Sequence, residues 1–232
     1  MKKLLLVYLS LITYPLSLAA QQEGFTNKAE AKNEMTNGVK EGKWIEYLDS
    51  NENATQNANS PFYILSIYMA GKPAGVVHTY FKNGKIKTET AYTDGKKNGL
   101  EKEYYANGKV HEETNFKDDK ENGIYKKYYD NGQLYEEVNY IDGGKNGIDK
   151  WYYESGKVQA ENAFKDDKLD GICKLYFENG NVDNMFTYSN GLPNGPHKEY
   201  YQNGKLKMET TYNNGESGDE KHYDENGKET KE

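Results

Sequence analysis

The chain contains no arginine; all 30 of its basic residues are lysine. Without the planar guanidinium fork, bidentate reading of phosphates or base edges has no instrument. The 37 acidic residues set the net charge at −7, a balance that disfavours nucleic acid and anionic membrane surfaces. Neither is expected as a partner. The single cysteine, Cys173, excludes an internal disulfide and leaves no cysteine to be acylated behind a leader. Hydrophobic residues make up only 35%, too few to build a conventional core of Leu, Ile and Val. The chain is nevertheless rich in one ring: 22 tyrosines against 7 Phe and 2 Trp. Disordered chains are poor in aromatics, so disorder is excluded. The apolar surface must come mainly from aromatic rings carried on strands.

The first residues, MKKLLLVYLSLITYPLSLAA, place Lys2 and Lys3 before an apolar run from Leu4 to Leu18, then small residues. This is the pattern of a secretory signal peptide over 1–20, cleaved after Ala19 or Ala20. The run is broken by Pro15 and falls short of the ~20 residues a spanning helix needs. An exported protein is the expectation: periplasmic, on the outer surface, or secreted.

The rest of the chain repeats. Asn83-Gly84, Asn107-Gly108, Asn131-Gly132, Ser155-Gly156, Asn179-Gly180 and Asn203-Gly204 follow one another in steps of 24 residues, with Asn226-Gly227 one residue early. A second glycine column runs through Gly75, Gly99, Gly123, Gly147, Gly171 and Gly195 in the same step. An earlier copy begins at Gly42 and carries an extra polar loop over 50–60. Together they give about eight copies, which chance cannot hold in phase. Asn-Gly suits a two-residue type I′ turn, and its flanks alternate with Tyr, Val, Ile and Thr. The linking phrases, such as TDGKKNG and KDDKENG, are turn chemistry again. The expected fold is all-β: an elongated, twisted antiparallel meander of hairpins over 38–232, with 21–37 as an N-terminal cap. A β-solenoid with 24 residues per coil is the alternative, disfavoured because two-residue turns reverse the chain.

The register follows from the turn. A two-residue turn at Asn131-Gly132 sets Tyr129 opposite Leu134 and Lys126 opposite Glu137. The same arithmetic pairs Lys102 with Glu113, Lys150 with Glu161, and Lys198 with Glu209, a recurring opposite-charge pair of the kind a correct register produces. One face then carries Tyr129, Leu134, Val138 and Tyr140. The other carries Tyr128 and the Lys–Glu pair, with Tyr80, Tyr104, Tyr128, Tyr152, Tyr176, Tyr200 and Tyr223 in one column. FYILSIYM at 62–69 puts Leu65 where Glu usually stands, so the segment around 23–41 is expected to cover one face there. EKHYDENGKETKE ends the chain on a short polar copy that blunts the edge.

The phrase of a tyrosine pair, Asn-Gly-Lys, an apolar residue, Glu, then Tyr and a Gly-rich turn resembles the MORN-repeat family in its bacterial variant form. YYANGKVHEETNF (104–116) and YYQNGKLKMETTY (200–212) carry the resemblance most clearly, and it covers roughly 38–230. It implies a binding scaffold without catalysis. Proteins of this variant type are often labelled antitoxin components of toxin–antitoxin pairs, which implies a protein partner.

Catalysis finds no foothold. A Lys–Glu dyad that recurs in every copy is architecture, since an active site needs one preorganised constellation. His78, His111, His197 and His222 occupy different slots without ligand spacing. Asp118-Asp119 and Asp166-Asp167 sit beside lysine in turns and do not form a calcium loop. Cys173 has no His or Asp partner in its own copy. No glycine-rich phosphate loop opens a helix. Neither metal nor cofactor is expected, and the protein is not expected to be an enzyme. The departures from the repeat are more informative. Trp151, Tyr153, Val158, Phe164, Cys173, Leu175, Phe177, Val182, Phe186 and Tyr188 are expected on one face as the most apolar zone, and in the same place Met185 replaces the usual Glu. Such a zone is either the best-packed part of the sheet, covered by a neighbouring turn, or an exposed patch that a partner protein covers; a protein partner bound along the sheet is the expectation. The alternative is a carbohydrate or cell-wall module that stacks sugars on tyrosine faces.

Overall fold

The computed structural model describes residues 24–230. The expected leader over 1–20 lies outside the described residues. From Glu34 to Thr230 the chain is one antiparallel sheet in which each strand pairs with its neighbours in sequence. No α-helix occurs among the described residues; the one helical turn is a 3-10 turn at Lys28–Glu30.

Two kinds of turn alternate along this meander, and they are the reverse of the expected ones. The tight type I′ turns lie in the linking phrases. Asp94-Gly95, Asp142-Gly143, Asn190-Gly191 and Asn214-Gly215 have positive φ at both central residues, and so do Asp118-Asp119 and Asp166-Asp167. Asp and Asn tolerate this region better than other side chains with a Cβ. The Asn-Gly sites are instead three-residue loops. The N–H of Gly132 donates to the Tyr129 carbonyl at 2.9 Å, and the N–H of Tyr129 to the Gln133 carbonyl at 2.8 Å. Only Gly132 has positive φ, at 92°, as in a type I turn closed by a glycine bulge. Asn131 earns its place through its side chain: Oδ1 accepts the N–H of Gln133 at 2.7 Å. Asn83, Asn107, Asn179 and Asn203 accept in the same way.

The expected pairing of Tyr129 with Leu134 is therefore wrong, yet the pairing of Lys126 with Glu137 is right. Tyr128 pairs with Leu134, and the register then shifts by one before Lys127 pairs with Glu136 and Lys126 with Glu137. Tyr135 is the extra residue of a β-bulge. The longer loop and the bulge offset one another, so the strand body lands in the register a two-residue turn would give. Lys102–Glu113, Lys150–Glu161 and Lys198–Glu209 pair likewise. The faces are corrected accordingly: Leu134 shares a face with Tyr128, as Val158 does with Tyr152 and Val182 with Tyr176.

The second glycine column has its own cause. Gly99, Gly123, Gly147, Gly171 and Gly195 all have positive φ, and each stands opposite a ring: Phe116, Tyr140, Phe164, Tyr188 and Tyr212 respectively. At Gly171 a Cβ would lie 2.9 Å from the Cβ of Ala163, so only glycine fits.

At the N-terminal end the sheet is covered by the chain itself. Phe25 is buried with Tyr63, Leu65 and Tyr80, against Ile45, Ile67 and Ile86. Tyr63 and Tyr80 stack at 4.8 Å, and the Lys28 ammonium sits 3.6 Å from the Tyr63 ring centroid. Asn27 caps the short helical turn by accepting from the N–H of Ala29, and Glu34–Thr36 then pairs with the start of Val39–Leu48.

Candidate functional site

Residues that pair across antiparallel strands share a face, so the register sorts the side chains into rows running along the sheet. On the front face the middle row alternates Lys and Glu. Lys102–Glu113, Lys150–Glu161 and Lys198–Glu209 lie 3.2, 3.8 and 3.6 Å apart. A tyrosine from the following copy donates to each glutamate. Tyr128 Oη reaches Glu113 at 2.9 Å, Tyr152 reaches Glu137 at 2.7 Å, Tyr176 reaches Glu161 at 2.8 Å and Tyr223 reaches Glu209 at 2.9 Å. Tyr104 donates to Glu89 in the same manner. Burial and the adjacent Glu113 carboxylate push the Tyr128 phenol up to about 12. Burial and Glu161 do the same for Tyr176. These phenols are donors throughout the physiological range and structural in role.

A second ladder runs along the Asn-Gly edge. Tyr105 Oη donates to the carbonyl of Tyr128 at 2.6 Å, Tyr129 to that of Tyr152 at 2.7 Å, Tyr153 to that of Tyr176 at 2.6 Å, and Tyr201 to that of Tyr223 at 2.8 Å. At these four joints each copy is thus tied to the next by two hydroxyls; Phe81 and Phe177, in the same slot, have none to give.

In the outer row of the front face an exposed aliphatic residue alternates with Asn115, Asn139, Ala163 and Thr187. Leu100, Ile124, Ile148 and Ile172, one per copy at 24-residue spacing, are 39%, 52%, 47% and 51% exposed. Val76 begins this row, and there Gly24 lies so close to the Val76 carbonyl that no Cβ fits. A cavity of about 450 Å³ opens beside it, between Val76, His78, Ala91, Leu100 and Lys102. Equivalent positions lie roughly 10 Å apart, two strand spacings. These residues were visible in the sequence as an aliphatic side chain after each glycine of the second column, but their exposure depended on knowing which face they take.

The back face buries its own side chains. Thr90, Thr114, Val138, Asp149, Cys173, His197 and Thr210 are all buried there. Asp149 is met by the Lys145 ammonium at 2.8 Å, which also lies 3.3 Å from Glu136. Burial and the Asp149 carboxylate raise the Glu136 pKa. Burial works against the Lys145 ammonium, but Asp149 and Glu136 raise it on balance. Lys97 and Glu101 form the corresponding pair two copies earlier, at 2.6 Å. The cluster is a packed ion network in a slot that Cys173 and His197 fill in later copies. Burial pushes the Cys173 thiol up, away from the thiolate a nucleophile requires. Among the described residues no group of three His, Cys, Asp or Glu could hold a metal ion.

The expected single face is corrected: Trp151, Phe164, Cys173, Leu175, Phe186 and Tyr188 fall on the back face by register, while Val158 and Val182 lie on the front with Tyr152 and Tyr176. Trp151 and Leu175 both pair with Ala160, Phe164 faces Gly147, Phe186 faces Cys173 and Tyr188 faces Gly171. Tyr153 and Phe177 stand at the mouths of their turns. Leu175 is 45% exposed; Trp151, Tyr153, Phe164, Phe177, Phe186 and Tyr188 are half-buried. Much of this surface is already engaged. Trp151 receives the edge of Tyr135 at 5.1 Å, and Phe186 stacks on His197 at 3.7 Å.

The fold and its ladders define a β-hairpin repeat protein built on a single open sheet. Residues 97–118, 121–142, 145–166, 169–190 and 193–214 each match the model of the MORN repeat variant family. From 97 to 214 the chain is a run of MORN repeat variants, and the type I′ turns are the joints between them. No curated protein matches the chain.

Proposed function

We propose that the protein is a non-catalytic scaffold that binds another protein along its sheet, and that it acts after export. The observation that carries the reading is the exposed aliphatic series Leu100, Ile124, Ile148 and Ile172, repeated in register on a face with no second layer among the described residues. Exposed apolar side chains recurring along one face in this way suit an interaction site. This reading is supported by the chain's own extended segment around Phe25, which covers the beginning of the same sheet with one ring seated in the core. The partner is accordingly a protein that presents an extended segment with apolar side chains. The aromatic zone from Trp151 to Tyr188 offers a second contact on the opposite face. Export rests on the leader-like first 20 residues. An antitoxin-like role is the special case in which the partner is a toxin.

The test is capture from envelope and secreted fractions with wild-type chain, with Ile124→Lys/Ile148→Lys, and with Trp151→Lys or Phe177→Lys, followed by reconstitution with the purified partner. A partner lost by these variants, with the β circular dichroism intact, supports the reading. Failure to find any protein that distinguishes folded variants from wild type overturns it. A carbohydrate-binding reading is favoured by a different observation, an open groove on the Asn-Gly edge between the hairpins of residues 171–189 and 192–213.

A further inference from the structure

The sequence holds thirteen Asn-Gly dipeptides, and the fold leaves one of them unheld. In such a pair the glycine nitrogen attacks the asparagine side-chain carbonyl carbon, since glycine has no side chain to block the approach. Ring closure needs a free glycine N–H and a backbone that rotates. Twelve of the sites are restrained. In the three-residue loops the N–H of Gly84, Gly108, Gly132, Gly180, Gly204 and Gly227 donates back across the loop at 2.8–2.9 Å. Gly99, Gly123, Gly147 and Gly195 are strand residues paired across the sheet. In two type I′ turns the N–H of Gly191 and Gly215 donates to the carbonyls of Leu169 and Pro193 in the preceding copy, each at 2.8 Å.

The thirteenth pair, Asn37-Gly38, has the same turn geometry, with φ of 51° and 82°. It is the first turn of the sheet, so no earlier copy stands beside it. Among the described residues the Gly38 N–H meets no backbone acceptor. Both residues are exposed, and the hairpin they close has only three residue pairs, Glu34–Thr36 with Val39–Glu41. A hairpin so short opens locally at little cost.

We propose that Asn37-Gly38 is a site of spontaneous modification that unseals the N-terminal edge of the sheet. The Gly38 nitrogen bonds to Asn37 Cγ, its proton passes to solvent, and the side-chain amide leaves as ammonia. Water then opens the succinimide ring at either carbonyl, giving aspartate or isoaspartate. Isoaspartate routes the main chain through the side-chain methylene and adds a backbone atom to a two-residue turn, so Thr36 no longer stands opposite Val39. What opens is a seal. Glu34–Thr36 covers the outer edge of Val39–Glu41, and the Trp44 indole N–H ties the two by donating to the Glu34 and Glu41 carbonyls at 3.1 and 2.9 Å. An uncovered strand edge is a template for pairing with another chain.

The experiment incubates the whole chain at alkaline pH, folded and in urea, and maps aspartate and isoaspartate by peptide mass spectrometry. In urea the thirteen sites share the same following glycine, and similar rates are expected. In the folded chain Asn37 should convert roughly tenfold faster than any other site, or more, with ammonia released in step. Cross-strand NMR contacts between 34–36 and 39–41 should vanish in the isoaspartate product. Asn37→Asp keeps a turn that Asp94-Gly95 and Asp142-Gly143 already adopt, and it removes the early ammonia. Earlier conversion of another Asn-Gly, one common rate in the folded chain, or an unreacted Asn37 while the urea-unfolded chain converts overturns the site. Isoaspartate at 37 with the cross-strand contacts intact overturns the unsealing.

Discussion

Tyr152→Phe deletes one rung of the front ladder and nothing else. The lost contact is a 2.7 Å hydrogen bond from the phenol to the Glu137 carboxylate. Hydrogen bonds to charged groups are worth ~1.5–3 kcal/mol. Both groups here are half-exposed, and water recovers part of that, so the expected cost is about 1 kcal/mol. With a urea m-value on the order of 2 kcal/mol/M for a chain of this size, the midpoint falls by about 0.5 M. Tyr128→Phe and Tyr176→Phe should behave alike, since Glu113 and Glu161 accept in the same geometry. Tyr200→Phe is the internal control: with Met185 in the acceptor slot it has no such bond to lose, and its midpoint should stay within ~0.1 M of wild type. Met185→Glu should then make Tyr200→Phe costly, a coupling that a double-mutant cycle reads directly. Equal destabilisation by Tyr152→Phe and Tyr200→Phe would refute the assignment of the ladder as a source of stability.

The two glycine columns should respond differently to alanine. Gly180→Ala meets open space and costs about 1 kcal/mol for its left-handed φ. Gly171→Ala adds a 2.9 Å clash with the Ala163 Cβ and costs about 3 kcal/mol or more; equal thermal midpoints would show that the bulge relaxes. The third prediction concerns acid. Burial holds His197 below its ordinary value of 6.5, although Glu199 and Glu220 pull the other way. The unfolded chain therefore binds this proton more readily, and the contribution to stability is present above 6.5 and lost as pH falls through it. His197→Phe keeps a ring against Phe186 and removes the titration. Its urea midpoint should drop less than wild type between pH 7.5 and pH 5, and equal drops would exclude His197 as the cause.

The period, the strand order and the Lys–Glu register were legible in the sequence because they depend on spacing alone. Turn type was not. Asn131-Gly132 is compatible with a two-residue turn and with a three-residue loop, and the choice falls on neighbours that give no local signal. The Tyr135 bulge offset that error in the strand body, so Lys126 met Glu137 while Tyr129 missed Leu134. The Asp118-Asp119 turn was read as turn chemistry, but two consecutive positive φ values without glycine are a tertiary outcome. The aromatic zone was legible as composition. Its engagement was not, because the stacking of Phe186 on His197 joins residues on different strands.

Each hairpin gives a hydroxyl to the carbonyl ahead of it and receives one from behind, by the same atoms in the same slots. A duplicated or deleted 24-residue segment would consequently find every bond waiting at the new seam. Length in such a protein can change in whole units during descent without any new contact having to be invented. The seams after Phe81 and Phe177 are the exceptions, since neither ring has a hydroxyl to give.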